Sequence, residues 1–349
     1  MKKIIFIFIL ISVIFYGCNQ KIIEKGKKIS IDIDHCSCID ISNDEFNIQQ
    51  LSNDKKSNLL GKIKGVSFYE DNIITEASNG IFKYNTKKEN TLINFSSKGR
   101  ANSEYISIWS HWINKDRLYI YDMNGKKVLT HDINGIYINS YSINSNADAS
   151  PFQLLIPYKN NYIGKRVYDG IDKTDELAYY DSNFNFIKSI PSFKIKSGIK
   201  FHYPFAKYNE LILYNRYFEN IIYQVDENGV KERYYVDFNK HAIPNIHSFV
   251  DEYEIIDFLR KKTNSKYASL ISNLYESDGF FTFNFISNAK RYIAIHMKET
   301  GNTTTICFKG NENIEDIYCN KDKIFVFFTS NNLNYVGIIP ITEILRIQI

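Results

Sequence analysis

Apolar and polar residues alternate with a period of two through most of the chain, as in RLYIYDM (117–123) and ELILYN (210–215), which predicts half-buried β-strands. The alternation comes in six similar units. In each, a polar turn leads into an apolar strand, a second turn comes next, and a second strand commonly ends in Asp or Asn. The units are EDNIITEASNGIFKYN (70–85), KDRLYIYDMNGKKVLTHD (115–132), KNNYIGKRVYD resuming at DELAYYD (159–181), NELILYNRYFENIIYQVD (209–226), DGFFTFNFISNAKRYIAIH (278–296) and KDKIFVFFTSNNLNYVGII (321–339). Comparable positions Asn85, Asp132, Asp181 and Asp226 lie 47, 49 and 45 residues apart. That spacing suits a four-stranded propeller blade, about 40–50 residues long. Asn-Gly pairs at 79–80, 124–125, 134–135 and 228–229 supply the positive φ of tight hairpin turns. A single sheet of this size cannot cover both its faces, whereas radial stacking does so and leaves only short edges. The pattern therefore predicts an all-β, six-bladed β-propeller as one domain over residues 29–349.

Closing such a ring takes one blade built from both ends of the chain. ISIDID (29–34) or FNIQQL (46–51) is expected to pair with a last strand, EILRIQI (343–349). The one long spacing, between the fourth and fifth units, carries a different period. Phe249, Tyr253, Ile256 and Leu259 fall at helical intervals, as do Tyr267, Leu270, Ile271 and Leu274. Two short amphipathic helices are predicted in an insertion around residues 247–276, split near Thr263–Ser265. They form either a decoration on the outer or bottom surface or a lid over one mouth of the channel.

Composition supports the strand reading, since aromatic residues make up 15% of the chain and suit pleated, half-buried surfaces. The net charge of +4 includes Lys2 and Lys3, and without residues 1–17 it is +2 with no basic block. Nucleic-acid binding, which needs a concentrated cationic face, is not expected. At the N-terminus MKKIIFIFILISVIFYGC has a basic start, an apolar run too short to span a bilayer, and Gly17 before Cys18. It resembles the lipobox of bacterial lipoproteins, which implies a signal peptide over 1–17, a lipid on Cys18 and a tether over 18–28. The tether lacks the acidic cluster that accompanies surface export in such lipoproteins, so the expected location is the outer membrane, facing the periplasm.

The stretch SSKGRANSEYISIW (96–109) poses a choice between an anion-binding loop and a connector. An anion-binding glycine loop should open a helix, and the residues after Tyr105 read as a strand, so a connector between two blades is predicted. Ile81-Phe-Lys-Tyr-Asn, then Lys98-Gly99-Arg100, Glu104-Tyr105 and Leu118-Tyr-Ile-Tyr-Asp122 together resemble the six-bladed β-propeller lipoproteins of Bacteroidetes, relatives in shape of NHL and TolB-type propellers. VDFNKHAIP (236–244) resembles a second segment of that family. The chain keeps Gly99, Glu104 and Tyr105 and departs at Ala101, Asn102 and Ser103, where the family pattern has Gly, Pro and Gly. Arg100, Glu104 and Tyr105 are candidate ligand or connector residues. His111 and Trp112, placed beside this connector, are candidates for stacking and hydrogen bonding at a channel mouth.

Asp32, Asp34, His35, Cys36 and Cys38 form the most metal-like cluster, but no second Cys or His pair completes a usual zinc frame, so no metal is expected. Besides Cys18 the cysteines are Cys36, Cys38, Cys307 and Cys319. A Cys307–Cys319 disulfide is the preferred pairing, with a bridge from Cys36 or Cys38 to that region as the alternative. No nucleophile elbow, phosphate loop or HExxH helix is visible, and no cofactor is expected. The sequence reading is a lipid-anchored envelope propeller that binds a protein, peptide or glycan, or serves as a scaffold. The rival is a metal-dependent hydrolase or lyase with a cation in the central channel. Acids such as Asp122, Asp132 and Asp181 recur with the turns and read as turn formers.

Overall fold

The computed structural model describes residues 26–41, 46–51, 60–87, 92–143, 152–166, 175–191, 193, 204–216, 218–244, 246, 249, 252–309 and 313–347. The signal segment, Cys18, most of the tether and part of the insertion lie outside the described residues.

Six sheets, each built on an antiparallel core and two of them extended to five strands by a parallel N-terminal strand, stand around one axis. Blade 1 spans 63–94, blade 2 108–142, blade 3 152–190, blade 4 205–237, blade 5 269–309, and blade 6 takes three strands from 313–340. The inner strands Ile63–Tyr69, Ile108–Asn114, Phe152–Tyr158, Phe205–Tyr208, Ser269–Glu276 and Asn313–Asn320 pack each against the next, and the last returns to the first. Each repeat unit legible in the sequence is the second and third strand of a blade, the hairpin whose two faces are both covered.

Six apolar clusters correspond to the six interfaces between blades. Between blades 4 and 5, Phe281, Phe283 and Phe285 alternate along one strand and all point to blade 4, where Tyr234 stacks on Phe281 at 4.6 Å between ring centroids. Aromatic residues are frequent because their area fills the gap between two twisted sheets.

Residues 26–41 and 46–51 form a strap round the rim. Lys27–Ser30 pairs parallel with the outer strand Gly229–Asp237 of blade 4, and Ser37–Asp40 pairs parallel with the outer strand Thr303–Lys309 of blade 5. Asn47–Gln50 then joins antiparallel to Leu333–Pro340 as the fourth strand of blade 6, closing the ring. FNIQQL is thus the closing segment, but its partner differs from the expected one: Ile341–Ile347 is a helix. Ile341 and Ile344 at a helical interval bury against blade 6, while Glu343 and Arg346 pair at 2.7 Å on the wet side.

Among the described residues the insertion holds one α-helix, Glu252–Arg260, and a 3-10 turn, Lys262–Asn264. The second expected helix is instead the inner strand Ser269–Glu276 of blade 5. Two bulges interrupt its pairing, with Leu270 at φ 63° and Asn273 at φ 50°. Each bulge adds a residue to one strand only, so buried Ile271 and Leu274 fall three apart and imitate a helix. The true helix packs through Ile255 on Phe218 and Ile243.

The disulfide also differs from the preferred pairing. Cys38 is bonded to Cys307, its register partner across the strap, with 4.4 Å between Cα atoms. Cys307 faces blade 4, whereas Cys319 lies in the cluster between blades 5 and 6, so the blade 5 sheet separates the two. Cys319 is a free, buried thiol.

One buried histidine gives the fold a pH dependence. His131 is 1% exposed, set edge-on to Phe95 and Tyr137, and burial holds its pKa down at about 4 despite the opposing charge of Asp132. Below about pH 6.5 the unfolded chain takes up a proton that the folded chain refuses. This contribution to stability is therefore complete above that pH and is lost as pH falls towards 4. Denaturant unfolding should show a fall of roughly 3 kcal/mol from this source between pH 7 and 4, absent in His131→Asn.

Candidate functional site

The inner strands of all six blades enclose a cavity of about 480 Å³ on the axis. Its lining runs along Val66–Phe68, His111–Lys115, Leu154–Pro157, Phe205–Lys207, Asn273–Tyr275 and Tyr318–Asn320. The helix Glu252–Arg260 contributes no residue to this lining. Phe68, Trp112, Leu154, Phe205, Tyr275 and Tyr318 give one apolar or aromatic contribution per blade. Ser67, His111, Asn114, Lys207, Asn273 and Asn320 add polar groups among them. Apolar walls with a few convergent polar groups are the usual make-up of a small-ligand site.

His111 and Trp112 are successive residues of an inner strand and point to opposite sides of their sheet. Trp112 faces blade 3, stacked on Tyr119 with 5.5 Å between centroids and set edge-on to Phe152 and Tyr162. His111 faces blade 1 and is fully buried. Its Nδ1 lies 3.3 Å from Glu76 Oε2, and its Nε2 lies 3.2 Å from Ser67 Oγ. Glu76 sits on the second strand of blade 1, opposite Gly65 in register.

Other interfaces hold buried carboxylates with basic partners. Glu176 of blade 3 accepts from Arg216 Nε at 3.1 Å and from the Tyr214 hydroxyl. Glu276, at the end of an inner strand, accepts from Arg233, Lys298 and Tyr234, with Lys298 at 2.7 Å. Burial pushes the Glu276 carboxyl up, but the hydrogen bonds and the Arg233 charge outweigh it and leave the group below its ordinary range. Asn273 donates to Asp316 at 2.9 Å across the interface between blades 5 and 6.

The connector residues stand apart from the cavity. Arg100 is exposed. Glu104 accepts the Ala101 N–H at 2.9 Å, Tyr105 is buried between blades 1 and 2, and the Gly99 N–H donates to the Tyr105 carbonyl at 2.9 Å. A Cβ on Gly99 would lie 1.9 Å from the Glu104 carboxylate, which accounts for glycine there. The turn acids likewise bind their own backbone. Asp122 accepts from Ile106, Ser107 and Gly125, Asp132 from Asn134 and Ile136, and Asp181 from Asn183 and Asn185. Among the described residues no carboxylate lines the cavity.

In the metal-like cluster the carboxylates have other partners. Asp32 pairs with His35 at 2.8 Å, and Asp34 with Lys240 at 2.8 Å and His241 at 3.1 Å. Cys36 is a free thiol beside the Cys38–Cys307 bridge, the three sulfurs lying within 4.8 Å of one another.

The sequence pattern does not single out Ser67, Glu76, Lys207, Asn273 or Asn320. A usable signal exists for Glu76, a charge inside the apolar run NIITEA whose neighbours bury on both faces.

The fold and its axial cavity define a six-bladed β-propeller with a candidate binding channel. The chain belongs to the family described as a domain of unknown function, DUF4934, whose profile matches residues 50–348. Among solved structures it is similar to a protein described as exported from Bacteroides fragilis, with 15% identity, a TM-score of 0.64, and coverage of 89% of this chain and 98% of that one. It is also similar to a member of the DUF4221 family from Bacteroides vulgatus, with 10% identity, a TM-score of 0.57 and coverage of 83% and 95%. A third, a protein of unknown function from Bacteroides thetaiotaomicron, has 8% identity, a TM-score of 0.53 and coverage of 84% and 75%. These likenesses are of fold. No curated protein matches the sequence.

Proposed function

We propose that the protein is a lipid-anchored binding module of the bacterial cell envelope, presenting one mouth of its channel to a protein, peptide or glycan. The observation that carries this reading is the axial cavity, where each blade supplies lining and aromatic walls alternate with Ser, His, Asn and Lys groups. Such a surface offers stacking, apolar contact and hydrogen bonding together. The similarity to an exported Bacteroides protein supports passage across the inner membrane. Gly17-Cys18 after a short apolar run supports lipidation at Cys18, and the acid-poor tether NQKIIEK (19–25) supports an outer-membrane anchor facing the periplasm.

Two measurements test it. Radiolabelled palmitate should be incorporated by the full chain and not by Cys18→Ser, which should instead fractionate away from membranes. A photo-crosslinking amino acid at Asn320, on the cavity, should yield a discrete adduct in cells, whereas the same group at Asn139, on the exposed outer strand Tyr137–Ser142, should not. Adducts from Asn139 with none from Asn320 would place binding on the rim and refute the channel reading.

A further inference from the structure

The interface between blades 1 and 2 departs from its counterparts in a way that bears on chemistry. Glu176 and Glu276 are paired with arginine, a permanently charged fork that serves cohesion. Glu76 is paired with a histidine, and the far nitrogen of that histidine is aimed at a hydroxyl on the cavity wall.

We propose that Ser67 is a nucleophile, His111 its general base and Glu76 the positioning residue behind the imidazole, giving the channel a hydrolytic activity on small carboxylic esters. The inference rests on the channel being the binding site and names what it does to one class of ligand.

The three side chains stand in the order that nucleophilic catalysis requires. A carboxylate facing Nδ1 fixes the proton on that nitrogen and leaves Nε2 to accept from the serine. Both contacts, 3.3 Å and 3.2 Å, are at the loose end of hydrogen-bond reach, as is common before substrate binds. His111 is 0% and Glu76 2% exposed, so water does not compete for either, while Ser67 is half-buried and faces the cavity. The three come from three strands of two blades, which holds their spacing rigidly. Ile63–Tyr69, which carries Ser67, is the edge strand of its sheet, so alternate peptide N–H groups have no strand partner on the channel side. They are the donors available to an oxyanion.

The steps balance with water as the one co-reactant. The Ser67 Oγ–H proton passes to His111 Nε2 as Oγ bonds to the ester carbonyl carbon and the carbonyl π pair moves to oxygen. Collapse re-forms the carbonyl and breaks the bond to the alkoxy oxygen, which leaves with the proton from Nε2. A water then gives a proton to Nε2 as its oxygen bonds to the acyl carbon, and collapse breaks the bond to Oγ, which takes the proton back from Nε2, releasing the carboxylic acid and restoring Ser67. The cavity volume, with Phe68 and Trp112 as immediate neighbours of Ser67 and His111 in sequence, suits a short acyl or aryl ester.

The test uses phenylmethanesulfonyl fluoride and p-nitrophenyl acetate on the purified chain. The sulfonyl group should appear by peptide mass spectrometry on Ser67, where Oγ displaces fluoride. Ser67→Ala should lower ester turnover at least a hundredfold without moving the unfolding midpoint. Glu76→Gln should lower kcat with little change in KM, which a merely structural role would not separate. Should Ser67→Ala fold poorly, Ser67→Cys replaces it: its thiol should react with iodoacetamide faster than Cys36 does, and an ordinary rate would count against the proposal. Labelling elsewhere, or undiminished turnover in Ser67→Ala, overturns it. Crosslinking from Asn320 that persists in that case leaves the channel-binding reading standing, and its loss removes both.

Discussion

Arg216→Leu should lower stability by roughly 3–5 kcal/mol at neutral pH, because it strips the cation from a carboxylate that is out of reach of water. The Glu176 side chain is 2% exposed and that of Arg216 9%. Burial alone would push the guanidinium down, but Glu176 and Glu219 outweigh it and hold Arg216 above its usual range, so the guanidinium stays charged throughout the working pH range. Without Arg216, Glu176 keeps the Tyr214 hydroxyl as a donor but has lost its counter-charge, while Glu219, 27% exposed, can rehydrate. The carboxyl of the variant is then harder to ionise folded than unfolded. Its penalty is full above that raised pKa and shrinks as pH falls through it. Urea unfolding at pH 7 and pH 5 should therefore show the gap to wild type narrowing at the lower pH. Arg216→Met combined with Glu176→Gln should recover most of the loss, since it removes both charges together.

Cys307→Ser should cost roughly 3–5 kcal/mol, because the bridge to Cys38 closes a loop of very long sequence separation and so removes much freedom from the unfolded chain. The separation is 269 residues. Reduced wild type should unfold at the same denaturant concentration as Cys307→Ser, and Cys319→Ser should do little. Hydrogen exchange at Ser37–Asp40 should speed up in the Cys307 variant more than elsewhere, since that strand pairs on one side only. A large effect from Cys319→Ser, with none from Cys38→Ser, would restore the pairing expected from the sequence.

The ring is legible because its signal repeats. The middle hairpin of every blade has both faces covered and returns the same apolar run, turn and polar stop, so Asn85, Asp132, Asp181 and Asp226 mark a period without any knowledge of contacts. Sequence and structure part where one period imitates another locally. Ser269–Glu276 reads as helix because bulges at Leu270 and Asn273 place Ile271 and Leu274 three apart. EILRIQI reads as strand from its isoleucines, yet Ile341 and Ile344 use helical spacing to reach the blade 6 cluster. Cys38–Cys307 is a register contact of a strap laid parallel to an outer strand, which nothing local announces. The Ser67–His111–Glu76 set is hidden for the same reason. Its members come from three strands, and only the placement of blade 2 against blade 1 brings His111 onto Ser67 and Glu76. Residues beside a loop motif, Arg100 and Glu104, stand out in sequence because they are close in the chain, and the bond Glu104 makes proves to be the connector's own.

The rim strap also bears on how the molecule carries mechanical load. In the proposed lipid-anchored form, a pull from Cys18 runs along Lys27–Ser30 in shear, parallel to its partner strand, so several hydrogen bonds must break together instead of one at a time. Beyond that strand the bridge at Cys38 acts as a stop. Tension can then draw out only the nineteen residues between Cys18 and Cys38, a leash of about 70 Å at full extension. In that form the propeller can travel that far from its attachment, and the load then enters the ring at the outer strand of blade 5 through Cys307.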